Sequence, residues 1–453
     1  MKPRERALKW LTAALACVVL VEVAAFIVAS ISSGQPCAYG CHQERRRLLL
    51  ATGTAGELVE AVEAAAETEA RPWVIKLMDQ QALHPYLGFL SNPDRQDEWF
   101  VEGMNLESAE HGFIGNVHSL FQTPSEEHMT VVVIGGSVAH EISQAGRVAL
   151  ETAIGQIPRY SGREIRVLCL AVGGFKAPQP FLSLAYMFSL GLHADLVILV
   201  DGLNDIALPA KDNAPFGVHP AYPRLWHQRV AELDDAEMMI RGEARFIGQQ
   251  RRRLARAAGK APWRYSLTAQ TLWTWADRRL ESWFDERLEK VELPRAGEDF
   301  TALGPPFELP AADTPERALA LESVALWERL ARQLHALAVG RGVELHHFLQ
   351  PNQYDGRKPL SERELERAFD ERSPFKASVE LAYPMLRESG EALRRDGINF
   401  HDLSDVFAET SETMYRDKCC HVGRRGRERL AQVIAERIAA KHEQAATSTA
   451  AGR

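Results

Sequence analysis

Four short segments of this chain carry residue types able to do acyl-transfer chemistry. The first, Ile134-Gly135-Gly136-Ser137, closes an apolar run and opens a helix-like stretch at Val138. A serine at such a strand-to-helix turn exposes its hydroxyl at a sheet edge. The first amides of the following helix favour negative charge there. The same position suits an ordinary N-cap, which serine also fills well. The segment lacks the GxGxxG spacing of a dinucleotide site. The second segment is Ala171-Val172-Gly173-Gly174-Phe175-Lys176. Its glycines either make a turn or let a backbone amide approach a ligand oxygen. The third is Asp201-Gly202-Leu203-Asn204-Asp205. The Asn204 amide can donate to an oxyanion, or it can close an Asx-turn. The fourth is Asp417-Lys418-Cys419-Cys420-His421. His421 reads either as a surface histidine or as a base with Asp417 as its orienting acid.

The elements needed to hold these segments follow from the apolar runs. Thr130 to Ile134, Ile165 to Leu170 and Leu196 to Val200 are strand-like. So are Val343 to Leu349 and Ile398 to Leu403. Continuous apolar strands separated by helical stretches imply a parallel sheet covered on both faces. The expected fold is α/β: a three-layer α/β/α sandwich with about five parallel strands. In such sheets, sites lie beyond the C-terminal strand ends. The loops after Ile134, Leu170 and Val200 hold three of the four segments. The fourth precedes Gly423 and an amphipathic stretch with Leu430, Val433, Ile434 and Ile438.

Ser, Gly, Asn and Asp/His in this order resemble the SGNH (GDSL-like) hydrolase superfamily, over roughly residues 130–205 and 343–440. Gly135-Gly136-Ser137 is similar to the family's first block, with Gly136 where an aspartate often stands. Gly174 matches the glycine of the second block, and Asn204 the asparagine of the third. Asp417 and His421 match the fifth, with one more intervening residue than the usual Asp-x-x-His. The segments Gly173 to Gln179, Val200-Asp201-Gly202 and Gln350 to Tyr354 are similar to a membrane-attached subgroup.

The resemblance implies covalent catalysis on an ester. Ser137 would be the nucleophile, His421 the general base and Asp417 the acid that holds its tautomer. The amides of Ser137 and Gly174 and the side chain of Asn204 would form the oxyanion hole. No metal or organic cofactor is implied. The substrate class implied is an acetyl or acyl ester of an envelope glycan or lipid. An O-acyltransferase using the same residues and a non-catalytic glycan-binding scaffold are the alternatives.

Composition bounds the rest. The 453 residues are 46% hydrophobic and 25% charged, which suits a globular chain. A net charge of -8 and the lack of a basic stripe argue against nucleic acid as a partner. Lys2, Arg4, Arg6 and Lys9 precede an almost uncharged run from Trp10 to Ile31. At about 1.5 Å per residue this run is long enough for a membrane span. The sequence therefore predicts an N-terminal transmembrane anchor over 1–33, with the rest periplasmic or extracellular. A cleaved signal peptide is the rival, though its apolar core is usually about 7–15 residues. Glu22 interrupts the run at a cost on the order of 3 kcal/mol in a membrane. It reads first as a lone tolerated charge, with a protonated acid or a residue facing a partner helix as the alternatives. Among six cysteines, Cys37 and Cys41 are either a short-loop disulfide or free thiols.

The expected organisation beyond the anchor has five parts. Residues 34–128 form a helical stalk, helix-like from Gln43 to about Leu83, and an irregular elaboration. Residues 129–205 and 315–443 are the two halves of the core. Residues 206–314 are a helical insertion, and 444–453 a disordered tail. The insertion holds Trp226, Trp263, Trp273, Trp275 and Trp283. They suit internal packing, a substrate pocket or a bilayer interface. Oligomeric state is not legible.

Overall fold

The computed structural model describes residues 3–33, 36–37, 39–51, 81–91, 109–230, 235–289 and 303–451. The chain forms two compact units. One joins Met1–Gly53 to Leu233–Leu293, and the other joins Thr54–Glu232 to Pro294–Arg453.

The larger unit is built on five strands: β1 (His128–Gly135), β2 (Glu164–Cys169), β3 (Leu196–Asp201), β4 (Glu344–Leu349) and β5 (Phe400–Asp402). They lie side by side in the order β2-β1-β3-β4-β5, and every adjacent pair is parallel. Successive side chains along a strand point to opposite faces. Val131 and Val133 of β1 accordingly enter one core with Ile198 and Val200 of β3. Val132 and Ile134 enter the other with Val197 and Leu199. Helices Arg147–Gly155, Pro374–Arg395 and Arg424–Ala451 cover the first face through Leu150, Val379, Leu386, Leu430 and Ile434. Helix Gln179–Ser189 covers the second through Leu184 and Met187, joined by Leu330 and Leu334 of helix Pro315–Arg341. Both faces being covered is the reason β1 and β3 carry no polar alternation. Each fully buried Val, Leu or Ile contributes about 1.5–3 kcal/mol, so the two cores together hold the sheet.

The chain passes from β1 to β2 on one side, then crosses to β3 on the other. Loops that diverge in this way leave a crevice at the C-terminal end of β1. The segment expected to be irregular contains two antiparallel pairs. Gln81–His84 pairs with Gly88–Ser91, and Ala109–Glu110 with Phe113–Ile114. Leu87, Phe89 and Phe113 join the second core. The expected stalk lies mostly outside the described residues; helix Tyr39–Ala51 covers its described start, whereas at its expected end Gln81–His84 is a strand and not a helix. The last helix runs to Ala451, into the segment expected to be a tail.

The smaller unit contains helices Pro3–Ser33, Tyr39–Ala51, Asp235–Ala258 and Leu267–Glu289. Trp273 is buried there with Ala255 and Ala258, beside Leu49 and Leu50. Asp277 is buried between Arg45 and Arg251, at 2.6 and 2.8 Å. Residues 233–293 thus belong with the N-terminal helices, while the first part of the expected insertion stays with the α/β unit.

The expected transmembrane helix is not supported. Pro3–Ser33 is helical, but among the described residues no helix is long and apolar enough to cross a membrane. Glu22 of this helix meets another segment of the chain. Its carboxylate accepts hydrogen bonds from Ser266 Oγ at 2.7 Å and from the amides of Leu267 and Thr268 at 2.6 and 3.2 Å. Glu22 therefore caps the N-terminus of helix Leu267–Glu289, where a negative charge is favourable. Burial pushes its pKa up, and these hydrogen bonds outweigh that and hold it below the usual value. The partner-helix reading of Glu22 describes this contact, and the partner lies in the same chain.

Candidate active site

β1 delivers Ser137 through two glycines with separate duties. Gly135 has φ +135, and a Cβ there would run into the Val200 carbonyl of β3. A Cβ on Gly136 would collide with Asn204 Nδ2. Helix Ser137–Ser143 begins at once, with the His140 amide donating to Gly136 O at 3.0 Å. Ser137 makes no capping bond here; Gly136 is the N-cap residue. Its hydroxyl instead meets His421 Nε2 at 2.8 Å.

His421 is buried, and its Nδ1 lies 2.6 Å from Asp417 Oδ2. The other Asp417 oxygen, Oδ1, accepts the amides of Cys419, Cys420 and His421 at 3.0, 3.2 and 3.3 Å. An ionised carboxylate accepting two or three amides is fixed in place and favoured in its charged form. Burial would raise the Asp417 pKa, but His421 and these bonds depress it. Burial also disfavours the imidazolium of His421, yet Asp417 and then Glu141 outweigh it and raise its pKa to about 10. With Nδ1–H donating to Asp417, Nε2 is left to accept a hydrogen bond from the Ser137 hydroxyl.

The other predicted residues flank this line. Gly174 adopts φ +85, and its neighbour Gly173 approaches Ser137 so closely that a Cβ there would lie 4.0 Å from Ser137 Cβ. Asn204 Nδ2 donates to the Phe175 carbonyl at 2.9 Å. The loops after β1, β2 and β3 therefore meet at Gly136, Phe175 and Asn204. The structure brings Ser137, His421 and Asp417 into one hydrogen-bonded chain, with Gly174 in the loop after β2 and Asn204 in the first turn of helix Leu203–Leu208 beside it.

Two further acids shape the site without having been singled out by sequence. Asp205 is buried and accepts Ala177 N at 2.7 Å and Gly202 N at 3.1 Å, tying the β2 and β3 loops together. Burial and nearby Asp201 raise its pKa to about 7. Glu141 is buried four residues after Ser137 and pairs with Arg416, the residue before Asp417. Its i,i+4 relation to Ser137 on one helix face was the available signal. Cys419 Sγ, Cys420 Sγ and His421 lie close enough together to ligate a metal. His421 itself is engaged at Nδ1 by Asp417 and at Nε2 by Ser137.

Neither a family model nor a curated protein matches this chain. Among solved structures, the chain is similar to an acetyl xylan esterase, with TM-score 0.31 and 10% sequence identity. That likeness covers 68% of this chain and 98% of the other. At that score and identity it carries no argument about activity.

Proposed function

We propose that this protein is a serine ester hydrolase of SGNH type. One observation carries the reading: the chain Ser137 Oγ, His421 Nε2, His421 Nδ1, Asp417 Oδ2, with contacts of 2.8 and 2.6 Å. Nucleophile, base and orienting acid within hydrogen-bond reach are the geometric signature of nucleophilic acyl transfer.

In the proposed reaction, His421 Nε2 takes the proton of Ser137 as Oγ attacks the acyl carbon. The imidazolium then gives this proton to the departing alcohol, leaving an acyl-serine. A water molecule, deprotonated by the same nitrogen, releases the acid and restores Ser137. Asp417 keeps the proton on Nδ1 and stabilises the imidazolium. The amides of Ser137 and Gly174 and the side chain of Asn204 are the proposed oxyanion donors, each worth on the order of 3 kcal/mol in the transition state. The proposed substrate is an acetyl or acyl ester on a glycan or lipid. The Cys37–Cys41 disulfide supports an oxidising compartment for the chain.

The test is a panel of acyl esters offered to the purified protein, with and without a sugar acceptor. Release of free acid, lost in Ser137→Ala, is the expected result. Transfer to the sugar in preference to water would make the protein an O-acyltransferase. No turnover and no covalent labelling by a fluorophosphonate would leave only a glycan-binding scaffold and sink the proposal.

A further inference from the structure

At the other end of the sheet, where β4 begins, three side chains converge on one point. His346 Nε2 lies 2.8 Å from Glu344 Oε1, and His442 Nε2 lies 2.6 Å from the same oxygen. The three potential ligand atoms lie within 4.8 Å of one another. We propose that Glu344, His346 and His442 form a structural binding site for a divalent transition-metal ion of the zinc class, separate from the ester site.

Geometry and chemistry both support it. Two imidazoles and one carboxylate are a ligand set suited to zinc, at bond lengths of about 2.0–2.2 Å. Tetrahedral ligands at such lengths sit roughly 3.3 Å apart, so each histidine nitrogen needs to move from Glu344 Oε1 by only about 0.5–0.7 Å. His346 also has a partner for its second nitrogen: Nδ1 lies 2.9 Å from His401 Nε2. Donation of Nδ1–H to His401 leaves the His346 Nε2 lone pair directed at the ion, as ligating histidines are commonly arranged. Tyr160 Oη donates to Glu344 Oε2 at 2.8 Å, fixing the carboxylate while Oε1 faces the histidines. The His346 side chain is fully buried, whereas Glu344 and His442 are 23% and 14% exposed. An ion can therefore enter from solvent, and water completes its coordination.

The site's consequence is mechanical. It fastens β4 to the last helix, Arg424–Ala451, which starts three residues after His421. Glu344 opens β4, whereas Ser137 follows the C-terminal end of β1, so the ion takes no part in the ester chemistry.

The experiment is a titration of the full chain, freed of metal, with cobalt(II) followed by visible absorption, and with zinc followed by calorimetry and melting temperature. Expected are one equivalent bound, ligand-field bands of a low-coordinate nitrogen–oxygen site, and a higher melting temperature with zinc. His442→Gln, at a helix surface, should weaken binding at least tenfold, and His346→Gln likewise. Tyr160→Phe should retain the cobalt spectrum. Ser137→Ala should bind as the wild type does, which separates this proposal from the ester hydrolase reading. Absence of binding would overturn it, as would binding undiminished in His442→Gln. A thiolate charge-transfer band would place the ion at Cys419 and Cys420 and overturn it equally.

Discussion

The carboxylate of Asp417 holds His421 twice: Oδ2 meets its ring Nδ1 at 2.6 Å, and Oδ1 accepts its backbone amide at 3.3 Å. The residue added to the usual Asp-x-x-His spacing is absorbed in the turn that wraps this carboxylate. Oδ1 gathers the Cys419 and Cys420 amides as well. One side chain thereby sets both the course of the loop and the tautomer of the ring.

Ser137→Ala should abolish ester turnover and fluorophosphonate labelling with the melting temperature nearly unchanged. Among the described residues the Ser137 side chain hydrogen-bonds His421 alone, and alanine fits the same turn. Labelling that persists in the variant would move the nucleophile to another serine.

The pH profile should rise towards alkaline pH. Only neutral His421 can accept the serine proton. Burial alone would keep the ring neutral, but Asp417 and Glu141 raise its pKa to about 10. The neutral fraction, and with it kcat/KM, therefore grows as pH climbs towards that value. Glu141→Gln removes one of the two charges, so the inflection should move to lower pH. An inflection at the ordinary imidazole value in both proteins would show that Glu141 has no such effect.

Gly136→Ala should cost activity through Asn204. The added methyl would collide with Asn204 Nδ2, which donates to Phe175 O at 2.9 Å. The expected loss in kcat is about 10²–10³-fold, the scale of one missing oxyanion donor. Asn204→Ala should lose a similar amount, and the double variant little more than either single one. Full additivity in that cycle would mean that Gly136 acts by another route.

Trp273 and Trp275 should respond in opposite ways to alanine. Trp273 is 7% exposed and packed in the helical unit, whereas Trp275 is 62% exposed. Trp273→Ala should remove about 3–5 kcal/mol and lower the melting temperature of that unit. Trp275→Ala should change it little. Calorimetry on the full chain distinguishes the two, and equal melting temperatures would contradict the burial.

Cys37 and Cys41 should resist alkylation in protein made in an oxidising compartment, whereas Cys17 is exposed and free. Mass spectrometry after alkylation, with and without reduction, reads the difference directly. Alkylation of Cys37 and Cys41 without reduction would remove the support for that compartment.

The parallel α/β core is legible in the residue pattern. Runs such as Thr130 to Ile134 and Leu196 to Val200 are apolar at every position after the first, and only a strand buried on both faces needs that. The pattern also exposed Ser137, Gly174, Asn204, Asp417 and His421 as candidates, because turns at strand ends have characteristic residue types. The edge strand was less legible. Ile398 to Leu403 reads as six strand residues, but Phe400–Asp402 are those that pair, with β4 on one side only. Proximity came from the folding of distant segments onto one another. Ser137 and His421 are 284 residues apart, and no local pattern encodes their 2.8 Å contact. The grouping of Glu344, His346, His401 and His442 was invisible for the same reason. Glu22 shows the limit most plainly. A lone carboxylate in an apolar run looks alike in sequence whether or not a distant segment meets it, because local residue order does not encode distant partners. The three hydrogen bonds from Ser266, Leu267 and Thr268 that make Glu22 a helix cap come from residues 244 to 246 positions away.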